Sequence, residues 1–331
     1  MLGAWFEREI REQPAVWRRV ARSSEAAAFA EAVRDREVVL VGSGSSLFVA
    51  MLAALALRRR GINAAALAAT EANFERGAYC GRTVVALSQS GRSADVLRAI
   101  DLLEPARLIA LTNDASAPLA ARADLVLDIE AGPERAVPAT KSVTAMVALV
   151  LWGAALTRGP SERSRATLEA TADAVEAWLT GPGVARIAEL AAGIARRGSV
   201  AVVGAGYGVP VALELALKLK ESSYVHAEGF AAGEFRHGSA AMLDGSTSLI
   251  GVVDDPSRDV VRRSLEEAVR TGSLRATIGG AIDDIPAHGA ATGTAFNTLA
   301  WLVAGHVLAL DLGRARGIDG DAPRGLTKFV S

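Results

Sequence analysis

The sequence predicts an α/β chain built on two tandem parallel sheets, each sandwiched by helices. Three observations carry that prediction. Apolar strand-like runs alternate with helical stretches along the chain, the pattern of parallel sheets covered on both faces. The run Val38-Val39-Leu40-Val41-Gly42-Ser43-Gly44 returns as Val200-Ala201-Val202-Val203-Gly204-Ala205-Gly206, at a constant offset of 162 residues (Gly44 to Gly206), so the plan is duplicated. The 331 residues suffice for about two domains with sizeable cores.

The elements follow in order. Glu37-Val38-Val39-Leu40-Val41 is a buried strand and 46–60 a helix; strands at 64–67 and 83–87 are followed by a helix over 93–103. A strand at 107–111, a second at Asp124-Leu125-Val126-Leu127-Asp128-Ile129 and a helix over 140–156 complete the first half. Helical sequence over 161–196, interrupted at Gly181-Pro182-Gly183, joins the halves. The second half repeats the plan: a strand at 199–203, a long helix over 209–222, strands at 248–253, 274–278 and 284–285, and helices over 257–270 and 294–312. The expected organisation is an N-terminal helical segment (1–36), a first domain (37–158), a helical connection (159–196), a second domain (197–316) and a C-terminal tail (317–331).

Composition narrows the function classes. A formal net charge of −1 argues against a nucleic-acid surface, which needs a basic excess. The most apolar run, 145–156, is too short to span a bilayer, and the charged first thirteen residues lack the apolar core of a signal peptide. The expectation is a soluble cytoplasmic protein that binds neither nucleic acid nor membrane. One cysteine, Cys80, excludes an intramolecular disulfide; lying just before a strand, it reads as a small buried hydrophobe. No His, Asp or Glu cluster has metal-ligand spacing, so neither metal nor cofactor is expected.

Two loops carry candidate ligand chemistry. Gly42-Ser43-Gly44-Ser45-Ser46 lies between a strand and a helix, where glycines permit close backbone approach and the helix start offers free N–H groups to an anion. It lacks the dinucleotide fingerprint and the Gly-Lys-Ser/Thr ending of a nucleotide loop, and alone it is also explained as a serine-capped turn. Ser88-Gln89-Ser90-Gly91-Arg92-Ser93 repeats the arrangement after a neighbouring strand, and loops at the carboxyl ends of parallel strands converge on one crevice. Together they point to a phosphate cradle.

The second half holds the acid–base residues. In a helix over 209–222, Glu214, Lys218 and Glu221 share a face, with His226 and His237 nearby in sequence. Two carboxylates, an ammonium and a histidine are equipment for moving protons on a small polar substrate. Taken alone, the helix reads as a solvated face stabilised by Glu–Lys pairs. His226 reads as an anchor for a turn or interface, His288 as an exposed loop residue, and His306, among Leu302, Val303 and Leu308, as a satisfied core histidine.

Seven motifs in this order resemble the tandem sugar-isomerase (SIS) family: Gly42-Ser43-Gly44-Ser45-Ser46, Ser88-Gln89-Ser90-Gly91, Ala139-Thr140-Lys141-Ser142, Ala216-Leu217-Lys218-Leu219-Lys220-Glu221, His226-Ala227-Glu228, Gly233-Glu234 with His237-Gly238, and Pro323-Arg324-Gly325-Leu326-Thr327-Lys328. Within that family the chain is most similar to the isomerase domains of glucosamine-6-phosphate synthases and to stand-alone glucosamine-6-phosphate deaminases. The resemblance implies two flavodoxin-like, Rossmann-like SIS domains. It also implies a homodimer with its active site at the subunit interface, and a phosphorylated amino sugar or ketose phosphate as ligand. It assigns phosphate binding to Ser45, Ser88, Gln89, Ser90 and Ser93, and sugar contacts to Ser46 and the Val137 backbone. Glu221 matches the base that shuttles a proton between C1 and C2, Lys218 a lysine acting near C2 and its nitrogen, and Glu214 a supporting carboxylate. His237 matches the ring-opening histidine, contributed in relatives by the partner subunit, and Lys328 the tail lysine that forms an imine with an open-chain ketose.

Departures set the expected direction. The sequence is expected to lack the glutaminase domain of the synthases, and the expected reaction is ammonia release from glucosamine 6-phosphate to give fructose 6-phosphate. Arg92 and Ala139, in place of an acidic residue and a serine, resemble the stand-alone deaminases; Ser239 stands where proline is usual, and Ser222-Ser223-Tyr224 also departs. The alternatives are another sugar-phosphate aldose–ketose isomerase, a deglycase of the fructosamine-6-phosphate type, or a non-catalytic phosphosugar-sensing SIS protein.

Overall fold

The computed structural model describes residues 1–34, 36–287, 289 and 294–328, and its contacts divide the chain into two compact units. The five-stranded unit comprises Ala15–Glu134, Lys141–Glu169 and the tail from Thr327; the four-stranded unit comprises Met1–Pro14, Arg135–Thr140 and Ala170–Leu326. Helix α1 (Ala4–Arg22) contributes to both.

In the five-stranded unit, α2 (Glu25–Val33) precedes β1 (Val38–Gly42), α3 (Ser45–Arg58), β2 (Ala64–Ala68), α4 (Ala72–Tyr79), β3 (Thr83–Leu87), α5 (Ala94–Leu103), β4 (Arg107–Thr112), α6 (Pro118–Arg122), β5 (Leu125–Asp128) and α7 (Lys141–Leu156). The strands are parallel in the order β2-β1-β3-β4-β5. Every residue of β1 and β3 is buried, which is why both read as continuous apolar runs rather than alternating ones. On one face Val39, Val41, Val84, Ala86, Leu108 and Ala110 pack with Val96, Ala99, Ile100 and Leu103 of α5. Each fully buried Val, Leu or Ile contributes about 1.5–3 kcal/mol before the entropy of ordering it is subtracted. Helices α3 and α7 pack together, as do α2 and α7. Helix α7 is buried from Lys141 to Ala155, as expected of a helix apolar all round.

After α8 (Glu162–Thr180) and α9 (Gly183–Ala195), the four-stranded unit runs β6 (Ser199–Gly204), α10 (Gly208–Ser223), β7 (His226–Ala231), α11 (Ala232–Phe235), β8 (Thr247–Val252), α12 (Arg258–Thr271), β9 (Leu274–Ile278) and α13 (Asn297–Ala315). Its order, β7-β6-β8-β9, is again fully parallel and repeats the first four positions of the other sheet. Helix α10 packs on β6, β7 and α13, and α13 on α9. The repeated glycine at the strand ends has a steric cause: a Cβ on Gly42 would lie 2.6 Å from the Ser46 backbone, and one on Gly204 2.1 Å from that of Gly208. Each chain folds back over its own strand end, closer than any side chain allows.

Two expectations are corrected, for Cys80 and for the strand at 284–285. Cys80 is exposed, because it caps α4, a mostly exposed helix that the sequence reading passed over. His226 opens β7, an edge strand, and its ring bonds Glu228 Oε1 at 3.0 Å. The expected strand at 284–285 is a single bridge between Ile278 and Ile285. His288 lies outside the described residues. No helix among them is long and apolar enough to cross a membrane.

Candidate active site

The strand order of the five-stranded unit reverses between β1 and β3: β2 follows β1 on one side, and β3 lies on the other. In open parallel sheets ligands bind outside the carboxyl ends of the strands at such a switch point. Both Ser/Gly loops flank it. Gly44, at φ +54°, turns the chain into α3, placing half-buried Ser45 and Ser46 in its first turn. In the second loop Gly91 donates its N–H to Ser88 O and Ser88 Oγ, both at 3.1 Å, and Arg92 N–H donates to Ser90 Oγ at 3.2 Å. Gln89 O accepts from Asn113 N at 3.0 Å and Thr112 Oγ1 at 3.3 Å, which ties this loop to the one after β4. Ser93 precedes α5 and makes no side-chain cap bond, leaving its hydroxyl for other use. Gly91, at φ +62°, sits where a Cβ would lie 2.5 Å from Ala117 Cβ.

Arg92 is turned to Asp114, 2.8 Å away. The Ser116 hydroxyl and N–H, and then Arg92, hold the Asp114 carboxyl below its usual range.

In the four-stranded unit α10 brings Glu214, Lys218 and Glu221 together. Lys218 Nζ lies 2.6 Å from Glu221 Oε2 and 3.5 Å from Glu214 Oε1. The Lys218 and Glu214 side chains are each 2 % exposed and that of Glu221 20 %, so this is no solvated face. Burying an ammonium is tolerable only with opposite charge around it, and the two carboxylates supply that while Glu221 stays open to solvent. Leu215 and Leu219 are buried on the same helix. Ser222 Oγ donates to Lys218 O at 2.7 Å and to Ala309 O at 3.0 Å, and Ser223 Oγ to Leu219 O at 2.5 Å, fixing the turn that carries Glu221. His306 on α13 is fully buried; burial, and then the Lys218 charge, push its pKa down to about 3. Neither ring nitrogen has a hydrogen-bond partner among the described residues, so it is a core histidine but not a satisfied one.

The other candidates are placed as follows. His237 is exposed after α11, its N–H donating to Glu234 O at 2.9 Å. Val137 N–H donates to Asp321 O at 2.9 Å. Asp321 also accepts from Trp5 N and Phe6 N at 3.0 and 2.7 Å, capping the free N–H groups of α1. The tail is held at the end of α10: Arg324 N–H donates to Tyr224 Oη at 2.6 Å, and its guanidinium lies 4.4 Å over the Tyr224 ring.

In the five-stranded unit Lys328 Nζ bonds Glu134 Oε2 at 3.0 Å. Glu134, its side chain 0 % exposed, also accepts from Ser142 N and Ser142 Oγ at 3.2 and 2.7 Å. Sequence reasoning missed Glu134; the available signal was an acid after Gly132-Pro133, three residues ahead of Val137. A separate cavity of about 280 Å³ beside β8 and β9 is lined by Arg258, Asp283 and other residues, none of them among the acid–base candidates. Among the described residues no group of three or more His, Cys, Asp or Glu is placed to hold a metal.

The model of the SIS domain matches residues 33–155 and 193–284. The chain belongs to the SIS domain family. Among curated relatives it is 36 % identical over 274 residues to the isomerising glutamine–fructose-6-phosphate aminotransferase of Mycolicibacterium smegmatis, covering 75 % of this chain and 43 % of the relative. The protein of the same name from Sulfolobus acidocaldarius is 30 % identical over 91 % of this chain and 51 % of the relative. The chain thus spans about half the length of these relatives. In fold it is similar to glucosamine-6-phosphate deaminase from Thermotoga maritima, with a TM-score of 0.82, 23 % identity and 99 % of both chains covered. A tagatose-6-phosphate ketose/aldose isomerase from Escherichia coli gives a TM-score of 0.80, with 23 % identity and 97 % and 95 % of the two chains covered.

Proposed function

We propose that this SIS protein converts glucosamine 6-phosphate to fructose 6-phosphate and ammonia. The observation that carries the reading is the buried Glu214–Lys218–Glu221 group, in which one carboxylate stays open to solvent beside a desolvated ammonium. An aldose–ketose shift removes a proton from a carbon beside a carbonyl and returns it to the neighbouring carbon, which one carboxylate reaching both can do. Glu221 is assigned that role, Lys218 assistance at the amine-bearing carbon, and Glu214 the support of Lys218. The phosphate is assigned to Ser45, Ser88, Gln89, Ser90 and Ser93, with Ser46 and the Val137 backbone on the sugar. His237 is assigned ring opening by proton exchange with the ring oxygen, acting across a homodimer interface. Lys328 holds the ketose as an imine. The curated relatives' name, an isomerising aminotransferase of fructose 6-phosphate, supports this choice of ketose and of an amino-sugar partner.

The test is release of ammonia and fructose 6-phosphate from glucosamine 6-phosphate by the purified protein. Stoichiometric release that is lost in Glu221→Gln supports the reading; binding of the phosphosugar without release overturns it in favour of a different amino sugar, a conjugate substrate or a sensing role.

A further inference from the structure

Glu134 has no part in the roles assigned above, yet its buried carboxylate meets the one tail amine to which chemistry has been assigned. Its two oxygens accept from Ser142 N and Ser142 Oγ at the start of α7, and Oε2 also accepts from Lys328 Nζ at 3.0 Å. Ser142 orients the carboxylate, and the side chain is wholly removed from solvent. A buried carboxylate needs compensating charge and hydrogen bonds; Ser142 contributes hydrogen bonds and Lys328 a positive charge. Lys328, 16 % exposed, retains an open side toward solvent.

We propose that Glu134 is a catalytic residue of imine formation at Lys328: it docks the tail lysine, takes its proton as the imine with a ketose forms and returns it to the leaving oxygen. The inference rests on the imine role given to Lys328 under the proposed function. Lys328 Nζ passes one proton to Glu134, and the freed lone pair forms a bond to the ketose carbonyl carbon as the C=O π bond breaks. The oxygen takes a second proton from the same nitrogen, and then the one held by Glu134, and leaves as water. The product is a protonated C=N bond beside a restored carboxylate, so charge and atoms balance with no further reagent. A group that accepts and returns a proton within hydrogen-bond reach of the reacting nitrogen meets the geometric requirement for such transfer.

The experiment is reductive trapping of the full chain with fructose 6-phosphate and cyanoborohydride near neutral pH, with mass-spectrometric location of the label and a parallel binding titration of fructose 6-phosphate. The expected result is a label on Lys328 in the wild-type protein and trapping about 100-fold slower in Glu134→Gln, with sugar-phosphate binding unchanged. Turnover in Glu134→Gln/Lys328→Met should equal that in Lys328→Met alone, since groups acting through one another are not additive. Glu134→Asp, which withdraws the carboxylate by one methylene, decides the matter if Glu134→Gln does not fold: an intermediate trapping rate supports the role. Wild-type trapping rates in the folded Glu134 variants overturn the Glu134 inference and leave Lys328 in place. No label on wild-type Lys328 overturns the imine reading, and this inference with it.

Discussion

Lys218 and Glu221 form a 2.6 Å ion pair one turn apart on α10, with the lysine buried and the carboxylate 20 % exposed. The asymmetry suits the proposed roles: the ammonium is held inside, and the carboxylate keeps an open side for the proposed substrate. Glu221→Gln keeps the size and a hydrogen-bond acceptor for Lys218 but removes the base. Turnover of glucosamine 6-phosphate should fall by about 10²–10⁴-fold, with phosphosugar affinity within a factor of a few. A variant that turns over at wild-type rate ends the assignment of Glu221 as proton shuttle.

Lys218 also stabilises the fold. Replacing it with Met leaves the Glu214 carboxylate, 2 % exposed, without the ammonium that offsets its burial. Breaking a buried pair from one side costs about 3–5 kcal/mol, whereas replacing both partners is often near neutral. Urea unfolding should therefore show Lys218→Met strongly destabilised and Glu214→Gln/Lys218→Met recovering most of the loss. Equal destabilisation in the single and double variants would show that the pair carries no such coupling.

Gly91 ties the candidate phosphate loop to its neighbours. Its φ of +62° and the 2.5 Å that would separate a Cβ from Ala117 both oppose any side chain. Gly91→Ala should cost about 2 kcal/mol or more in stability, from the left-handed backbone and from overpacking. Because Gly91 N–H bonds Ser88, fructose 6-phosphate affinity should fall as well. A calorimetric titration that finds affinity unchanged in the folded variant would remove Ser88 and its loop from the phosphate site.

The two-sheet plan and most elements were legible, because the central strands are buried on both faces and most helices between them are long; the strand order was not read from the sequence. β3 (83–87) and β9 (274–278) have the bounds expected from the sequence. β7 was not legible: its burial is irregular, its edge position leaves His226 and Glu228 exposed, and Gly229 reads as a breaker. Helix α4 escaped because it buries little; Phe74 on it is 82 % exposed. In the candidate site, residues on one helix face were readable from spacing alone, since periodicity places Glu214, Lys218 and Glu221 together. Glu134 was not, because its partner lies 194 residues away at the chain end and no local pattern encodes such a contact. Spacing also gives no sign that Lys218 is buried or that the His306 ring nitrogens lack partners among the described residues, because both depend on how α13 lies on α10.

His306 supplies a pH test of that packing. Its pKa of about 3, against an ordinary 6.5, means that burial, and then the Lys218 charge, keep the folded imidazole neutral. In the unfolded chain it protonates below 6.5, so acid favours unfolding: the contribution is fully present above pH 6.5 and is lost as pH falls toward 3. The slope is ~1.4 kcal/mol per pH unit at most, or about 2 kcal/mol between pH 7 and 5. His306→Met, apolar and similar in length, removes this titration along with two buried nitrogens that lack partners among the described residues. Deleting unsatisfied buried polar groups is neutral or favourable, so the variant should be at least as stable as wild type near pH 7. It should then gain on wild type by about 2 kcal/mol as the pH is lowered to 5. Urea midpoints measured across that range decide it: converging or parallel acid slopes would mean that the folded protein accommodates a charged His306, and that the imidazole is not sealed against Lys218.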